Sequence, residues 1–295
     1  MLSDTRPHTI TIQFWGVRGT LPVPGKKSIR YGGNTNCMTL KLDDKEYLIF
    51  DAGTGIKEFS NFLVQNNHFP LKAKFFISHP HYDHIQGLPF FVPLYMKGNH
   101  FEFYGAVHGG KNIKELIAGQ MDSIYFPVTI SEFSSDIQFR TLAEESFTID
   151  DVHVQTIYMQ HPGTCLGYRI QYHGRVLCYV TDNELFLKNS PQFEAAQDEK
   201  LIQFIKNADV VMMDTTYTDT EYLAKVGWGH SCLTRAVEIA DKANVQLLCL
   251  HHHDPEQNDK DIDQKLKQAK QILKSLKSKT RAIAPREGEE IILNI

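Results

Sequence analysis

The chain contains no run of 18 consecutive apolar residues, so no membrane-spanning helix is expected. Its first ten residues hold no apolar h-region, so no secretory signal is expected either. Cysteines are few and scattered: Cys37, Cys165, Cys178, Cys232 and Cys249 are odd in number and lack C-x-x-C spacing. They read as reduced thiols, and the expected location is cytoplasmic. Positive charge is also short. Lys+Arg total 31 against 35 Asp+Glu, a net charge of -4, which does not suit a surface built to grip a long polyanion. No extended nucleic acid and no membrane are therefore expected as partners; the charge says nothing against a single nucleotide or other small anion, and a homodimer is left open. Neither a Pro/Ser-rich linker nor a 20–50-residue repeat divides the sequence, so one domain over 1–295 is expected. Gly32-Gly33 is not followed by Gly-Lys-Ser/Thr, which excludes a phosphate loop there.

What is present suffices for a large core. The 295 residues are 42% apolar, with 18 Phe and 12 Tyr, and this excludes disorder. Strand-like runs are predicted at 9–15, 38–42, 47–50, 73–77 and 101–104, with helices at 55–65 and 111–121. Further strands follow at 152–159, 166–172, 175–180, 209–213, 246–250 and 291–293, with a hairpin turn at His173-Gly174. A helix over 231–243 would take Ser231 as its N-cap. Another over 259–279 places Ile262, Leu266, Ala269, Leu273 and Leu276 on one face, its seven lysines, Lys265 among them, forming the solvated face. Two halves of strands with helices predict an α/β fold of two sheets packed together, helices outside. The irregular stretch 100–139 reads as an insertion over the site.

The densest chemistry is His79-Pro80-His81-Tyr82-Asp83-His84, directly after an apolar strand. Imidazoles and carboxylates are ligands for zinc and similar cations, and this many polar groups cannot share a dry core. In an extended turn, positions i and i+2 point alike, so His79 and His81 suit one ion. Asp83 and His84 can turn toward a second.

This His-x-His-x-Asp-His pattern after a strand resembles the metallo-β-lactamase fold superfamily, whose members are four-layer αββα sandwiches of two mixed sheets with helices outside. Further matches follow in the superfamily's order. By resemblance, Asp51 in Asp51-Ala-Gly-Thr-Gly55 supports the metal-loop histidines, His161 completes the first metal's ligands and Asp182 bridges the two metals. The last ligand falls in His251-His252-His253: a proline three residues on selects His252, whereas strand counting selects His251. The resemblance thus implies two divalent ions, Zn2+ first and Mn2+ or Fe as alternatives. His79, His81 and His161 would hold one, Asp83, His84 and His252 the other, with a bridging hydroxide as nucleophile and Asp83 contributing to catalysis as well as binding.

Gly227-Trp-Gly-His230-Ser231 resembles the His-Ser motif of the superfamily's phosphodiesterase branch, which includes tRNA 3′-processing nucleases. There the histidine assists the leaving group, and Asp214 stands where its acidic partner is usually Glu. Arg18 in Gly16-Val-Arg18-Gly19 and Asn34 in Tyr31-Gly-Gly-Asn34 resemble a bacterial subgroup of cyclic-nucleotide phosphodiesterase-like hydrolases, and are candidate substrate contacts. The expected function is therefore hydrolysis of a small phosphodiester, a cyclic nucleotide first, with a tRNA-processing endoribonuclease or a thioester or lactam hydrolase as alternatives. Between 100 and 139 the strong bases are Lys111 and Lys114, against Glu102, Glu115, Asp122, Glu132 and Asp136, which weighs against an RNA-gripping arm.

Overall fold

A computed structural model describes residues 9–42 and 46–295. His8 and the start of the chain lie outside it. The first half supplies β1 (Thr9–Gly16), β2 (Cys37–Leu42), β3 (Glu46–Phe50), β4 (Lys72–Phe76), β5 (His100–Ala106) and β6 (Asp136–Leu142). The second supplies β7 (Ser146–Ile149), β8 (Val152–Tyr158), β9 (Leu166–Tyr172), β10 (Arg175–Val180), β11 (Val210–Asp214), β12 (Leu247–His251) and β13 (Arg281–Ile283). The last strand, β14 (Glu290–Asn294), returns to pair with β1. The two seven-stranded sheets run β14-β1-β2-β3-β4-β5-β6 and β13-β12-β11-β10-β9-β8-β7.

Strand period decides the layers. Ile10, Ile12 and Phe14 of β1 meet Leu177 and Tyr179 of β10, Val210 and Met212 of β11, and Leu247 and Cys249 of β12 in a core between the sheets. The alternate residues of the second sheet, Cys178, Val211, Met213, Leu248 and Leu250, face outward onto helices. Those helices are α4 (Ala195–Ile205), α6 (Leu233–Lys242) and α7 (Asp259–Ser275). Over the first sheet, α1 (Ile56–Gln65) and α3 (Ile113–Gln120) bury Phe59, Leu63, Ile113 and Ile117 against Phe75 and Phe103. Two four-residue helices, α2 (Tyr82–Ile85) and α5 (Asp219–Tyr222), lie in loops. The αββα sandwich is as expected, and no described helix is long and apolar enough to cross a membrane.

The ends of the stretch 100–139 are regular sheet, since β5 pairs β4, and β6 pairs β5 in parallel from His100↔Asp136 onward. Two expectations need correction. Ser231 does not cap α6: the N-cap is Cys232, and Ser231 Oγ donates to Asn183 O while accepting from Leu185 N at 3.1 Å. Lys265 is not on a solvated face. It is fully buried, with Nζ donating to Thr215 O at 2.6 Å, Gln257 Oε1 at 2.7 Å and Thr216 O at 3.3 Å.

Burial lowers the Lys265 pKa from 10.5 to about 7. Above that value the folded chain has released a proton that the unfolded chain still holds, so stability rises with pH between about pH 7 and pH 10. The unfolding free energy of the wild type minus that of Lys265→Met should grow from pH 7 to pH 9, by up to about 1.4 kcal/mol per pH unit. A difference independent of pH would contradict this account of the buried amine.

Candidate metal centre

Parallel strands bring their C-terminal ends to one place. Asp51 follows β3, the histidine loop follows β4, Asp182 follows β10, Asp214 ends β11, and His252 follows β12. Asp51, Asp182 and His252 have φ of 56°, 43° and 61°, left-handed values that are costly for residues with a Cβ. Strain at three strand ends is what turns these side chains toward one another. The same rule separates the three histidines. His251 continues the alternation of Leu247 and Cys249 and points between the sheets, 5.9 Å from the Tyr179 ring. His253 is buried elsewhere, its ring 6.3 Å from that of Tyr31. The positive φ swings His252 alone into the cluster.

Three groups of ligand atoms result, of which two share Asp182: His79, His81, His161 and Asp182, and then Asp83, His84, His252 and Asp182; the third is Asp214, His230 and His252. In the first, His81 Nδ1 lies 2.8 Å from His79 Nε2 and 3.2 Å from His161 Nε2, and Asp182 Oδ2 lies 3.5 and 3.6 Å from the latter two. In the second, His84 Nε2 and His252 Nε2 each lie 3.1–3.2 Å from both Asp83 Oδ2 and Asp182 Oδ1.

Four of the five remaining ring nitrogens are committed to acceptors. His84 Nδ1 donates to Asp51 Oδ2 at 2.7 Å, and His161 Nδ1 donates to Gly229 O at 2.9 Å. Ser78 Oγ donates to Asp51 at 2.8 Å and so receives His79 Nδ1–H at 3.1 Å. Thr216 Oγ1 donates to Asp214 Oδ1 at 2.7 Å and receives His252 Nδ1–H at 2.9 Å. Asp51 is itself fully matched, since Ser78 N at 2.7 Å and Tyr179 OH at 2.9 Å also donate to it. Each of these histidines therefore turns a lone pair inward, the arrangement that orients imidazoles on a metal.

Lone pairs facing one another at such distances make no hydrogen bond and call for a cation. Ligands about 2.0–2.1 Å from a tetrahedral ion stand roughly 3.3 Å apart, so the donor set fits zinc or a similar divalent ion. In the first group protonation favours the same state: burial, then the neighbouring imidazoles, holds His79 well below its usual range and His81 at about 4, so both are neutral ligands. In the second, burial opposes a charged His84, but Asp182, Asp83 and Asp51 outweigh it and hold its pKa well above the usual range, so that ring gives up a proton when it takes a metal. Burial opposes ionisation of Asp182, but His252, His84 and His79 outweigh it and keep the carboxyl well below the ordinary range.

Beside the shared carboxylate, His230 Nδ1 donates to Asp214 Oδ2 at 2.9 Å and lies 4.0 Å from Asp182 Oδ2. Burial disfavours a charged His230, yet Asp214 overcomes it and raises the pKa to about 9. His230 also stacks on His252 at 4.7 Å.

The two candidate substrate contacts are tied into the chain. Arg18 is fully buried, with Nε donating to the carbonyl of Gly32 at 3.0 Å and Nη1 to those of Gln257 at 2.5 Å and Asp254 at 3.3 Å, while Nη2 has no partner among the described residues. Asn34 is tied to Glu287 through its backbone and side-chain amides at 2.5 and 2.9 Å. Thr216, Ser78 and Tyr179 had no sequence signal beyond nearness to a motif. Nor was His108 singled out, although its ring lies 6.0 Å from that of His81. Gly19, by contrast, sat in a quoted motif, and the reason for glycine is now plain: a Cβ there would come within 2.1 Å of His252 Cε1.

The Beta-lactamase superfamily domain matches residues 47–253, which span every one of these ligand atoms. The chain belongs to the β-lactamase superfamily. As the resemblance implied, it is a metal-dependent hydrolase. It is similar to ribonuclease Z of Oceanobacillus iheyensis, 24% identical over 289 residues that cover 82% of this chain and 90% of that protein. In fold it is similar to yeast PDE1 (TM-score 0.70, 14% identity, 97% of this chain and 99% of that one). It is similar also to the short form of human tRNase Z (TM-score 0.61, 18% identity, 95% and 98%). These findings overturn the expectation that extended nucleic acids are excluded as partners, because the relative that aligns over most of the chain is by name a ribonuclease. Net charge averages over a whole surface, whereas a polyanion responds to the local field.

Thr216→Val should leave His252 Nδ1–H and Asp214 Oδ1 without their shared hydroxyl, lowering divalent-metal affinity by about 10–100-fold. Thr216→Ser should retain it, as measured by competition with a chelator. Unchanged affinity in the valine variant would show that the hydroxyl does not hold His252.

Proposed function

We propose that the protein hydrolyses RNA phosphodiesters, using two divalent ions, zinc first and manganese or iron as alternatives. His79, His81, His161 and Asp182 would hold one ion, and Asp83, His84, His252 and Asp182 the other. The observation that carries this reading is the His230–Asp214 pair beside Asp182, at 4.0 and 2.9 Å. A lactam or thioester has no need of such a pair, whereas a departing ribose alkoxide must be given a proton. When bound, ions of this kind supply Lewis acidity, an acidified water and neutralisation of phosphate charge.

The chain's own part is to hold and move protons. With Nδ1–H committed to Asp214, the transferable proton of a charged His230 is at Nε2. Giving it up leaves a neutral ring that keeps its Nδ1–H bond to the carboxylate, so Asp214 stays ionised throughout. Asp51, Ser78, Gly229 O and Thr216 hold the imidazoles in one tautomer and orientation, and Thr20 N fixes Asp83 Oδ2 at 2.7 Å.

Similarity to a ribonuclease over most of the chain favours RNA. A second reading, a small cyclic nucleotide, draws support from a local shortage of positive charge: between 100 and 139, the stretch that brings His108 to within 6.0 Å of His81, two lysines stand against five acids. A cytoplasmic setting agrees with either, the five cysteines all being free and buried.

Assay of a 3′-extended tRNA precursor, cyclic mono- and dinucleotides, a nitrophenyl phosphodiester, a β-lactam and a thioester separates these readings. RNA cleavage is expected. Turnover confined to cyclic nucleotides would favour the second reading, and turnover confined to the lactam or thioester would contradict both. On RNA, His230→Ala should slow turnover by about 10²–10⁴-fold with metal content retained. A nitrophenyl leaving group needs no proton and should be far less affected, so equal losses on both would reject His230 as the donor.

A further inference from the structure

Two residues before His230 the chain exposes a large aromatic ring. Trp228 is 58% exposed, although it sits in a segment otherwise held tightly. It is flanked by Gly227 and Gly229, with φ of 84° and 83°, and both of their amides donate to the buried carboxylate of Glu184. These bonds are 2.7 Å to Oε1 and 2.8 Å to Oε2, and Tyr222 OH adds a third donor at 2.7 Å. Trp228 N donates to Lys225 O at 3.1 Å. Above the ring lies the Lys225 ammonium, 4.1 Å from its centroid.

This turn abuts the metal centre. Gly229 O receives His161 Nδ1–H, and a Cβ on Gly229 would stand 2.4 Å from that nitrogen. Glu184 is two residues from Asp182, so one carboxylate ties the Asp182 loop to the Trp228 turn. An indole carried on a fixed backbone and braced by a cation, yet still open to water, is a surface prepared for a flat ligand. The turn that carries it has already lost its conformational freedom, so less is lost on binding.

We propose that Trp228 is the stacking platform for a nucleobase of the substrate, adjoining the phosphate that lies at the metal centre. The proposal rests on the reading of the protein as a nucleotide phosphodiesterase and adds which residue grips the base. Lys225 holds the ring and contributes positive charge beside it. Stacking on an aromatic side chain is worth about 1–3 kcal/mol per base and tolerates every base. Trp228 would therefore set affinity for nucleotides over baseless phosphates without setting sequence.

The chain has two tryptophans, and the other, Trp15, is buried with Nε1 donating to Thr39 Oγ1 at 2.9 Å. Quenching of exposed-tryptophan fluorescence thus reports on Trp228 directly, in metal-free and metal-loaded protein alike. AMP and a short RNA oligonucleotide should each quench it saturably, while ribose 5-phosphate should not. Tighter binding of the oligonucleotide would identify RNA as the source of the base, and tighter binding of AMP would identify a mononucleotide. On whichever nucleotide substrate is turned over, Trp228→Ala should raise KM about ten-fold or more with kcat little changed, and Trp228→Phe should recover most of the loss. Equal quenching by ribose 5-phosphate, or an unchanged KM in Trp228→Ala on a substrate that is turned over, would overturn the proposal while leaving the hydrolytic reading intact. Base-dependent quenching without hydrolysis of any phosphodiester would do the reverse.

Discussion

The rest of the structure depends on the convergence of lone pairs from five imidazoles and the carboxylates of Asp83 and Asp182 into sites no more than 4.8 Å across. Acceptors facing acceptors repel, and their burial removes the water that would screen them. A protein can hold such an arrangement only by locking each group from behind and supplying a cation in front. The locks are specific: Asp51 behind His84, Ser78 behind His79, Gly229 O behind His161, and Thr216 behind His252. The two sheets serve these locks by ending parallel strands at a common edge, where backbone strain at Asp51, Asp182 and His252 re-aims the side chains.

The same economy links binding to proton transfer. Thr216 contacts the last imidazole of the second group and also Asp214, the partner of His230. Behind Thr216, the buried Lys265 donates to its carbonyl from α7. Glu184 joins the Asp182 loop to the turn that carries Gly229 and His230. A disturbance at any of these supports reaches the metal centre and the proposed acid together, which is why substitutions remote from the chemistry are expected to act on both.

Much of the fold was legible because its strands are covered on both faces and read as apolar runs. β6 and β7 were missed because they alternate with exposed polar residues and lie at sheet edges, and β6 fell within the supposed insertion. α4 was missed under the polar run at 197–200, although Leu201, Ile202, Phe204 and Ile205 are buried. The ligand candidates were legible because they sit in short motifs at strand ends. Of their supports, Asp51 was legible by its motif, but the others were not, since a carbonyl such as Gly229 O has no side-chain signature and Thr216 is recognisable only by what lies across from it. Arg18 and Asn34 also lie in conspicuous Gly-rich segments, which give no sign of the bonds they make within the chain, Arg18 to three carbonyls and Asn34 to Glu287. The charge argument failed for a related reason, having replaced a local surface by a sum.

Metal content tests the central claim most directly. After chelation and reloading with zinc or manganese, the wild type should bind two ions per chain at saturation, measured by equilibrium dialysis with elemental analysis. His161→Ala should retain one of the two, and Asp182→Ala should weaken both. A wild-type protein that saturates reproducibly at one ion, with His84→Ala unchanged in stoichiometry, would contradict the paired centre.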